Sequence, residues 1–435
     1  MRLVPVLLLA AALLPGCASS DEDDSHPAPS PQPPPPAITR AELAEHLDAL
    51  GTAAADNGGN RAVGTAGYEA SVEYVSGALR AAGWRVRVQE FDVPRFELEL
   101  SSLSVGGRQL ERARDYQVLT YSGSGKVRGR VRHRRSGCAG EHFTGLAEDD
   151  VPFVERGTCF FASKAGKAQR AGAKALVVVD RSETARGVPS GTLAIQGIRI
   201  PVVLVADSAL RRARDGTPVE VEVEASTPRQ GSENVIADTP GGSGGRVVMA
   251  GGHLDSVPGG PGINDNGSGV AALIEAAEAI GPDPTGAPVR LAFWGAEEVG
   301  IAGSRHYVRS LSREKRRRIA AYLNFDMLGS PNAVPELYVD GARELNRVLR
   351  RVAGRPLGSV SAGGSSDHAP FADAGIPVSG LYTGGPEQGK GGRPRDPCYH
   401  LACDTAANVD GTVLLRMSRA AAEAIESFSE GPQAK

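Results

Sequence analysis

The chain has 435 residues, about three times the size of an ordinary domain, so two domains are the first expectation. Its 41% hydrophobic and 23% charged residues are close to globular averages, which excludes a chain that is disordered or coiled coil throughout. The net charge of −3, without a long basic stripe, argues against nucleic acid as a partner. Five cysteines cannot all pair, so at least one needs a separate explanation.

The first sixteen residues have the composition of a secretory signal. A single basic residue, Arg2, precedes an apolar run over residues 3–14. The run is too short for a helix that spans a bilayer, so we expect residues 1–16 to be removed on export.

The end of this segment, Leu14-Pro15-Gly16-Cys17, resembles the lipobox of bacterial lipoproteins, from which the proline is a departure. The resemblance implies that Cys17 carries a lipid and that the exported chain is anchored to a bacterial membrane. The alternative is ordinary signal cleavage, which leaves Cys17 as a free thiol on a secreted protein.

Residues 17–37 are predicted to form an extended tether, because they have almost nothing apolar to bury. The segment contains four acidic residues, at positions 21–24, and a proline run at 33–36. Removing Arg2 from the 48 basic residues and these four from the 51 acidic residues leaves 47 of each. The predicted folded body is therefore formally neutral, and the net charge gives no information about the substrate.

Folded structure is predicted to begin at Thr39, where Thr39 and Glu42 have the spacing of a capping box. An apolar stripe of leucines continues this first helix up to Gly51. A second helix is predicted over residues 68–82, followed by an alternating strand over residues 84–91.

Residues 95–225 contain short alternating apolar runs separated by Gly and Ser, which predicts a β-rich domain. Three elements occur there in the order found in the protease-associated (PA) domain, which the region resembles: Arg156-Gly157-Thr158-Cys159-Phe160, Ala171-Gly172-Ala173 and Ile200-Pro201. The resemblance implies a PA domain at residues 95–229. Because that family often links its two cysteines, it also implies a Cys138–Cys159 disulfide. The alternative is a structural insert without a function of its own.

From Asn234 onward, buried strand-like runs alternate with helical segments, which predicts an α/β fold. Strands are predicted at residues 246–250, 289–294, 320–325, 336–339 and 378–382, and helices at 268–280, 303–311, 342–353, 369–374 and 411–428. The chain before residue 95 has too few strands for its own sheet. We therefore expect residues 38–94 and 230–435 to form one domain, a mixed central sheet flanked by helices, with residues 95–229 inserted.

Residues able to bind a metal follow three of these predicted strands. His253 and Asp255 come after the first strand, Glu297 and Glu298 after the second, and Asp326 after the third. Open α/β sheets place their sites at the carboxyl ends of strands. Solvated surface charges rarely coincide in this way across three strands, so we expect these side chains to share one site.

Two further candidates lie in loops, Asp265 in a glycine-rich helix start and His400 between two cysteines. Two imidazoles and three carboxylates can hold two divalent ions if one carboxylate bridges them. Zinc suits this mixture of ligands best, although cobalt or manganese also fits. Glu297 and Glu298 are expected on an extended segment, where neighbours point opposite ways, so one binds metal while the other handles the proton of a water molecule.

Five motifs together resemble the co-catalytic di-zinc exopeptidases of the aminopeptidase Y and secreted leucyl aminopeptidase type. Their order matches over most of residues 230–410: His253-Leu254-Asp255, Gly262-Ile263-Asn264-Asp265-Asn266-Gly267-Ser268-Gly269, Trp294-Gly295-Ala296-Glu297-Glu298, Asn324-Phe325-Asp326-Met327 and Tyr399-His400. The resemblance implies the zinc exopeptidase fold with an inserted PA domain. It also implies a catalytic domain that removes N-terminal residues from peptide or protein substrates.

Carried over by position, the resemblance makes Asp265 the ligand that bridges two zinc ions. One ion then takes His253 and Asp326, and the other takes Glu298 and His400. The family also has a cis peptide bond after the bridging aspartate, which implies a cis bond between Asp265 and Asn266.

The same resemblance gives three residues roles in catalysis. Glu297 becomes the general base that takes a proton from the water between the ions and passes it to the leaving amine. Asp255 becomes the carboxylate that fixes the tautomer of His253. Tyr399 becomes the residue that stabilises the tetrahedral oxyanion.

Cys398 and Cys403 flank Tyr399 and His400 at a spacing that can close a short loop. These cysteines could bind a metal, but the predicted export to an oxidising compartment favours a disulfide between them. Members of the resembled family have a disulfide at this place.

Two other functions stay open from the sequence. A carboxypeptidase or dipeptidase on the same fold would read a C-terminal carboxylate with arginines, for which Arg393 and Arg395 are available. A non-catalytic binding protein is the other alternative, although the complete ligand set and Glu297 argue against it. No obligate protein partner is indicated.

Overall fold

The computed structural model describes residues 37–181, 188–189, 191–193, 197–243, 245–338, 342–354, 357–360 and 366–431. The predicted signal segment, Cys17 and the tether up to residue 36 lie outside these ranges. Within them, none of the helices has both the length and the apolar composition that crossing a membrane requires.

Sixteen strands and nine α-helices occur in the described residues. The strands are β1 (Arg85–Pro94), β2 (Glu97–Val105), β3 (Arg108–Gln109), β4 (Tyr116–Val118), β5 (Gly125–His133), β6 (Asp150–Glu155), β7 (Leu176–Asp180), β8 (Val202–Ala206), β9 (Pro218–Ser226), β10 (Arg229–Asp238), β11 (Val247–His253), β12 (Val289–Trp294), β13 (Ile319–Asp326), β14 (Glu336–Tyr338), β15 (Gly358–Val360) and β16 (Val378–Tyr382). The helices are α1 (Arg40–Ala55), α2 (Ala66–Ala81), α3 (Phe161–Arg170), α4 (Ser268–Ile280), α5 (Ala302–Ser310), α6 (Arg313–Arg317), α7 (Arg343–Val352), α8 (Ala369–Asp373) and α9 (Gly411–Ser429).

The first sheet has eight strands in the order β1-β10-β12-β11-β13-β16-β14-β15. Its centre, from β12 to β16, is parallel, whereas β10 pairs antiparallel with both β1 and β12. Helices cover both faces: α1, α2, α4, α7 and α9 pack on one side, and α5 and α8 on the other. The predicted mixed central sheet flanked by helices is confirmed.

The parallel strands are apolar on both faces, as sheets covered on two sides require. In β12, Leu291 and Phe293 enter the larger core, while Ala292 and Trp294 enter the core beneath α5. Successive side chains of one strand therefore pack into the cores on opposite faces of the sheet. The carboxyl ends of the strands are thereby held in fixed relative positions.

A second eight-stranded sheet, ordered β3-β2-β9-β5-β6-β7-β8-β4, is built from the chain between β1 and β10. It is thus an insertion into the α/β fold, as the sequence predicts. Separate apolar clusters fill its two sides, one of them beneath α3. The expected disulfide between Cys138 and Cys159 is present.

The N-terminal helices pack on the first sheet. Glu42 and Thr39 make the predicted capping box, with the Glu42 backbone N–H donating to Thr39 Oγ1 at 3.3 Å and the Thr39 N–H donating to the Glu42 carboxylate at 2.9 Å. The leucine stripe of α1, buried against α4 and α9, anchors this segment: Leu43, Leu47 and Leu50.

Candidate metal centre and active site

The five candidate ligands come from five places in the chain and meet at the carboxyl edge of the first sheet. His253 is the last residue of β11, and Asp326 is the last residue of β13. Glu298 follows β12 after a turn, and Asp265 lies, with a non-helical backbone, in the turn that leads into α4. His400 comes from the loop before α9.

Asp265 lies between the two histidines. Its Oδ1 is 3.1 Å from Nε2 of His253, and its Oδ2 is 3.2 Å from Nε2 of His400. Asp326 Oδ1 lies 3.4 Å from the same nitrogen of His253, and Glu298 Oε2 lies 3.2 Å from that of His400. The side chains thus form two three-residue clusters that share Asp265, each with its ligand atoms within 4.8 Å of one another.

The donor set fits two divalent cations. Glu298 Oε1 and Asp326 Oδ1 are buried and have no hydrogen-bond donor among the described residues. Leaving buried carboxylate oxygens without a donor is costly, and a cation removes that cost. Because each cluster offers one imidazole nitrogen and carboxylate oxygens, it suits zinc better than a metal that prefers oxygen alone.

The turn that carries Asp265 is tied to the end of β13 by Asn266. The Asn266 amide donates to the carbonyl oxygen of Phe325 at 2.9 Å and accepts from the backbone N–H of Met327 at 3.1 Å. The peptide bond between Asp265 and Asn266 is cis, as expected from the resemblance. These contacts bring Asp265 and Asp326 to the same side of the cavity.

Asp404 holds the same turn through backbone hydrogen bonds. Its carboxylate accepts the backbone N–H groups of Asn264 and Asp265, at 2.8 and 3.1 Å. Burial raises the pKa of Asp404 to about 7. The expected disulfide between Cys398 and Cys403 is present and closes the loop that carries His400 just before this residue.

Arg61 joins the N-terminal segment to the active-site loop. It is fully buried and donates to the carbonyl oxygens of Leu254, Pro261 and Gly262. Burial lowers the pKa of Arg61 to about 10, against the opposing charge of Asp255, so the guanidinium stays protonated near neutral pH. Sequence reasoning missed this residue, because nothing in the local sequence marks a long-range contact.

Glu297 and Glu298 lie in a turn, so the expected extended segment is wrong. Ala296 has a positive φ of 60°, which bends the chain after β12. The Asp255 carboxylate then accepts the backbone N–H groups of Glu297 and Glu298, at 3.0 and 3.3 Å. Because one carboxylate holds two successive N–H groups, the chain curls around it, and both glutamates still reach the cavity.

The contact that fixes His253 also differs from the expectation. Nδ1 of His253 lies 3.0 Å from the backbone carbonyl oxygen of Asp255 and 3.8 Å from its carboxylate. The carbonyl group therefore makes Nδ1 the donor and leaves Nε2 facing the ligand cluster. The carboxylate of Asp255 positions the glutamates instead.

The two glutamates are in an environment that disfavours their charge. Burial raises the pKa of Glu297 well above its usual range, against the opposing charge of His253. Burial also raises the pKa of Glu298 to about 7, and Asp265 adds to this effect. Buried neighbouring carboxylates of this kind ionise at neutral pH only beside positive charge, as a cation in the clusters would supply.

A cavity of ≈ 240 Å³ opens over the clusters. Its floor contains ligand residues and Glu297, and its walls include Tyr338, Tyr382 and Met327. Tyr399 lines one side and stacks on His400, with ring centroids 3.8 Å apart. Burial raises the pKa of Tyr399, so its hydroxyl keeps its proton and can donate it in a hydrogen bond.

Two family models match the chain, Peptidase family M28 at residues 234–425 and PA domain at residues 125–212. A probable lipoprotein aminopeptidase of Mycobacterium tuberculosis is 40% identical over 415 residues, which cover 87% of this chain and 82% of that protein. An aminopeptidase of Pseudomonas aeruginosa is 34% identical over 423 residues, which cover 87% of this chain and 78% of that protein.

Solved structures agree with these matches. A zinc aminopeptidase from Bacillus subtilis has a TM-score of 0.70 and 28% identity, covering 91% of this chain and 97% of that chain. An aminopeptidase from Aneurinibacillus sp. has a TM-score of 0.75 and 24% identity, covering 89% and 93%, and shares the fold. The chain therefore belongs to peptidase family M28 and carries a PA domain inserted into its α/β fold.

Proposed function

We propose that this protein is a zinc-dependent aminopeptidase that removes N-terminal residues from peptides, with two ions bridged by Asp265. The observation that carries the proposal is the pair of ligand clusters that share Asp265 beneath a cavity that Glu297 also lines. The names of the relatives in M. tuberculosis and P. aeruginosa, both aminopeptidases, support the same activity.

The charge of the cavity favours a free amine over a free carboxylate. Acidic side chains contribute to its lining, including Glu297 and Glu387, and none of the described lining residues is Arg or Lys. A peptide α-amine is positively charged near neutral pH and is attracted to such a cavity, whereas a C-terminal carboxylate is repelled. This supports an aminopeptidase.

The arginines that a carboxypeptidase would need are placed elsewhere. Arg395 makes a 2.6 Å ion pair with Glu336, and its side chain is only 13% exposed. Arg393 is exposed and is not among the described lining residues. A carboxypeptidase or dipeptidase therefore has less support, and the complete ligand set argues against a binding protein without activity.

Two zinc ions held by the clusters would polarise the scissile carbonyl and acidify a shared water molecule. Glu297 would accept the proton of that water and deliver it to the leaving amine. Asp255 positions Glu297 through its backbone N–H. The protonated hydroxyl of Tyr399 would donate to the oxygen on which negative charge develops.

The location of the chain is part of the proposal. The lipobox-like Leu14-Pro15-Gly16-Cys17 and the name of the M. tuberculosis relative support an exported protein with a lipid on Cys17. We further propose that residues 38–94 and 230–435 form the catalytic domain and residues 95–229 the PA domain.

The requirement for a free amine is testable with one peptide in three forms. We expect N-acetylation to lower kcat/KM by about 100-fold or more, because the acidic cavity loses its cationic partner. Amidation of the C-terminus should change kcat/KM by less than about threefold, and a chelator should abolish cleavage. Cleavage that survives acetylation but needs the free carboxylate would show a carboxypeptidase. Bound zinc without any cleavage would show a binding protein.

A further inference from the structure

Basic residues from separate segments gather at the amino ends of the parallel strands. Arg246 precedes β11, Arg318 precedes β13, and Lys315 and Arg317 lie in the short helix α6. Arg87 lies on β1, where the register through β10 places it level with Ala292 of β12, and it lines the same cavity as Lys315 and Arg318. We call these five residues the cationic edge. A cavity of ≈ 550 Å³ runs along it, lined by Arg87, Lys315 and Arg318 among others.

The cationic edge keeps its positive charge. All five side chains belong to exposed residues, and the ion pairs found in the described part of the chain include none of them. Asp238 is the one acidic residue among the described residues that line the cavity, and it is already paired with Arg290 at 2.5 Å. Glu314 of α6 is exposed and offsets one of the five positive charges. The predicted folded body is formally neutral, so the positive charge of the cationic edge is a local excess.

Three exposed cations on strand β5 of the PA domain differ from those of the cationic edge. On β5, Lys126 lies 2.8 Å from Glu222, and Arg128 lies 3.1 Å from Glu220. Arg130 makes a third such pair, with Asp149. Each of these three cations on β5 is matched by a carboxylate, whereas no ion pair among the described residues involves the cationic edge, which favours an anionic partner for that edge.

The cationic edge faces away from the candidate active site. The parallel strands run from the cationic edge to the ligands, with β11 seven and β13 eight residues long. At about 3.3 Å per residue, Arg246 and Arg318 are about 25 Å from the ligand ends of these two strands. A flat surface bound at the cationic edge would therefore leave the catalytic cavity open on the far side.

We propose that the cationic edge docks the folded body on an anionic membrane surface. The inference rests on the lipid attachment of the proposed function, because the lipid on Cys17 would hold the body near such a surface. The predicted tether of residues 17–37 is long enough for about 70 Å of fully extended chain, which exceeds the about 25 Å between the two ends of the parallel strands. Anionic headgroups then select the orientation that exposes the cavity to peptides, since each Lys or Arg near the surface strengthens binding about fivefold.

Vesicle binding without the lipid tests this proposal. The mature chain with Cys17→Ser is mixed with vesicles of phosphatidylcholine, alone or with about 30% phosphatidylglycerol, and sedimented. We expect binding to the anionic vesicles at about 0.1 M salt, at least about tenfold weaker binding to the neutral ones, and release at about 0.5 M salt. The triple variant Arg87→Gln, Lys315→Gln, Arg318→Gln should bind the anionic vesicles at least about tenfold more weakly.

A matched variant separates position from net charge. The triple variant Lys126→Gln, Arg128→Gln, Arg130→Gln removes the same charge from the PA domain and should bind like the parent chain. Both variants should keep the parent kcat/KM on a free-amine peptide, which shows that they are folded and keeps this test separate from the aminopeptidase proposal. Equal loss in both variants, no preference for anionic vesicles, or tighter binding to a DNA duplex than to the vesicles would overturn the proposal.

Discussion

Replacing Glu297 by Gln is expected to lower kcat by about 10³-fold while zinc stays bound. Glu297 lines the cavity beside the ligand clusters and is a member of neither cluster. The amide keeps the size of the side chain but cannot accept the proton of a water molecule. General base catalysis contributes about 10²–10⁴-fold, so the loss should appear in kcat, with KM changing by less than about threefold.

The measurement is steady-state kinetics beside zinc content by mass spectrometry. Glu423→Gln is the matched control, because Glu423 is an exposed residue of α9 that belongs neither to the ligand clusters nor to the described lining of the cavity. A kcat within about tenfold of the parent value would remove Glu297 from the role of general base. Loss of zinc in Glu297→Gln would show that this residue acts as a ligand instead.

Replacing Asp265 by Asn should release both ions and with them nearly all activity. Asp265 is the one residue common to both clusters, with one oxygen toward each histidine. An amide has a single oxygen and no charge, so it can neither bridge two cations nor balance them. We expect the activity to fall by about 10³-fold or more and the zinc content to fall in both clusters together.

Zinc content after dialysis and kcat/KM on a free-amine peptide check this expectation. Asp373→Asn, at an exposed position in α8, provides the matched control. Retention of a full zinc complement by the folded Asp265→Asn variant would show that the ions are held independently. Thermal unfolding monitored by circular dichroism separates metal loss from loss of the fold.

The sequence predicts most of the α/β fold because its signals are local. Apolar runs define β12 and β16 to the residue, and the capping box at Thr39 defines the start of α1. The ligand side chains follow strand ends, and that position alone brings His253 and Asp326 to one edge of the sheet. The ligand clusters therefore follow from short motifs and sheet topology.

The supporting contacts depend on the tertiary structure, and the sequence predicts them poorly. Arg61 contacts residues about two hundred positions later, and Asp404 holds a turn well over a hundred positions earlier. The turn after β12 follows from the Asp255 carboxylate, which no local propensity indicates. The cationic edge likewise needs the fold, since it joins Arg87 to residues of α6.

The most direct measurement of the central claim is the anomalous diffraction of a crystal of the zinc-loaded protein at the zinc absorption edge. Two peaks about 3.5–4 Å apart are expected. One should contact His253 and Asp326, the other Glu298 and His400, with Asp265 between them. A single peak, or two peaks without Asp265 as a shared ligand, would contradict the proposed centre.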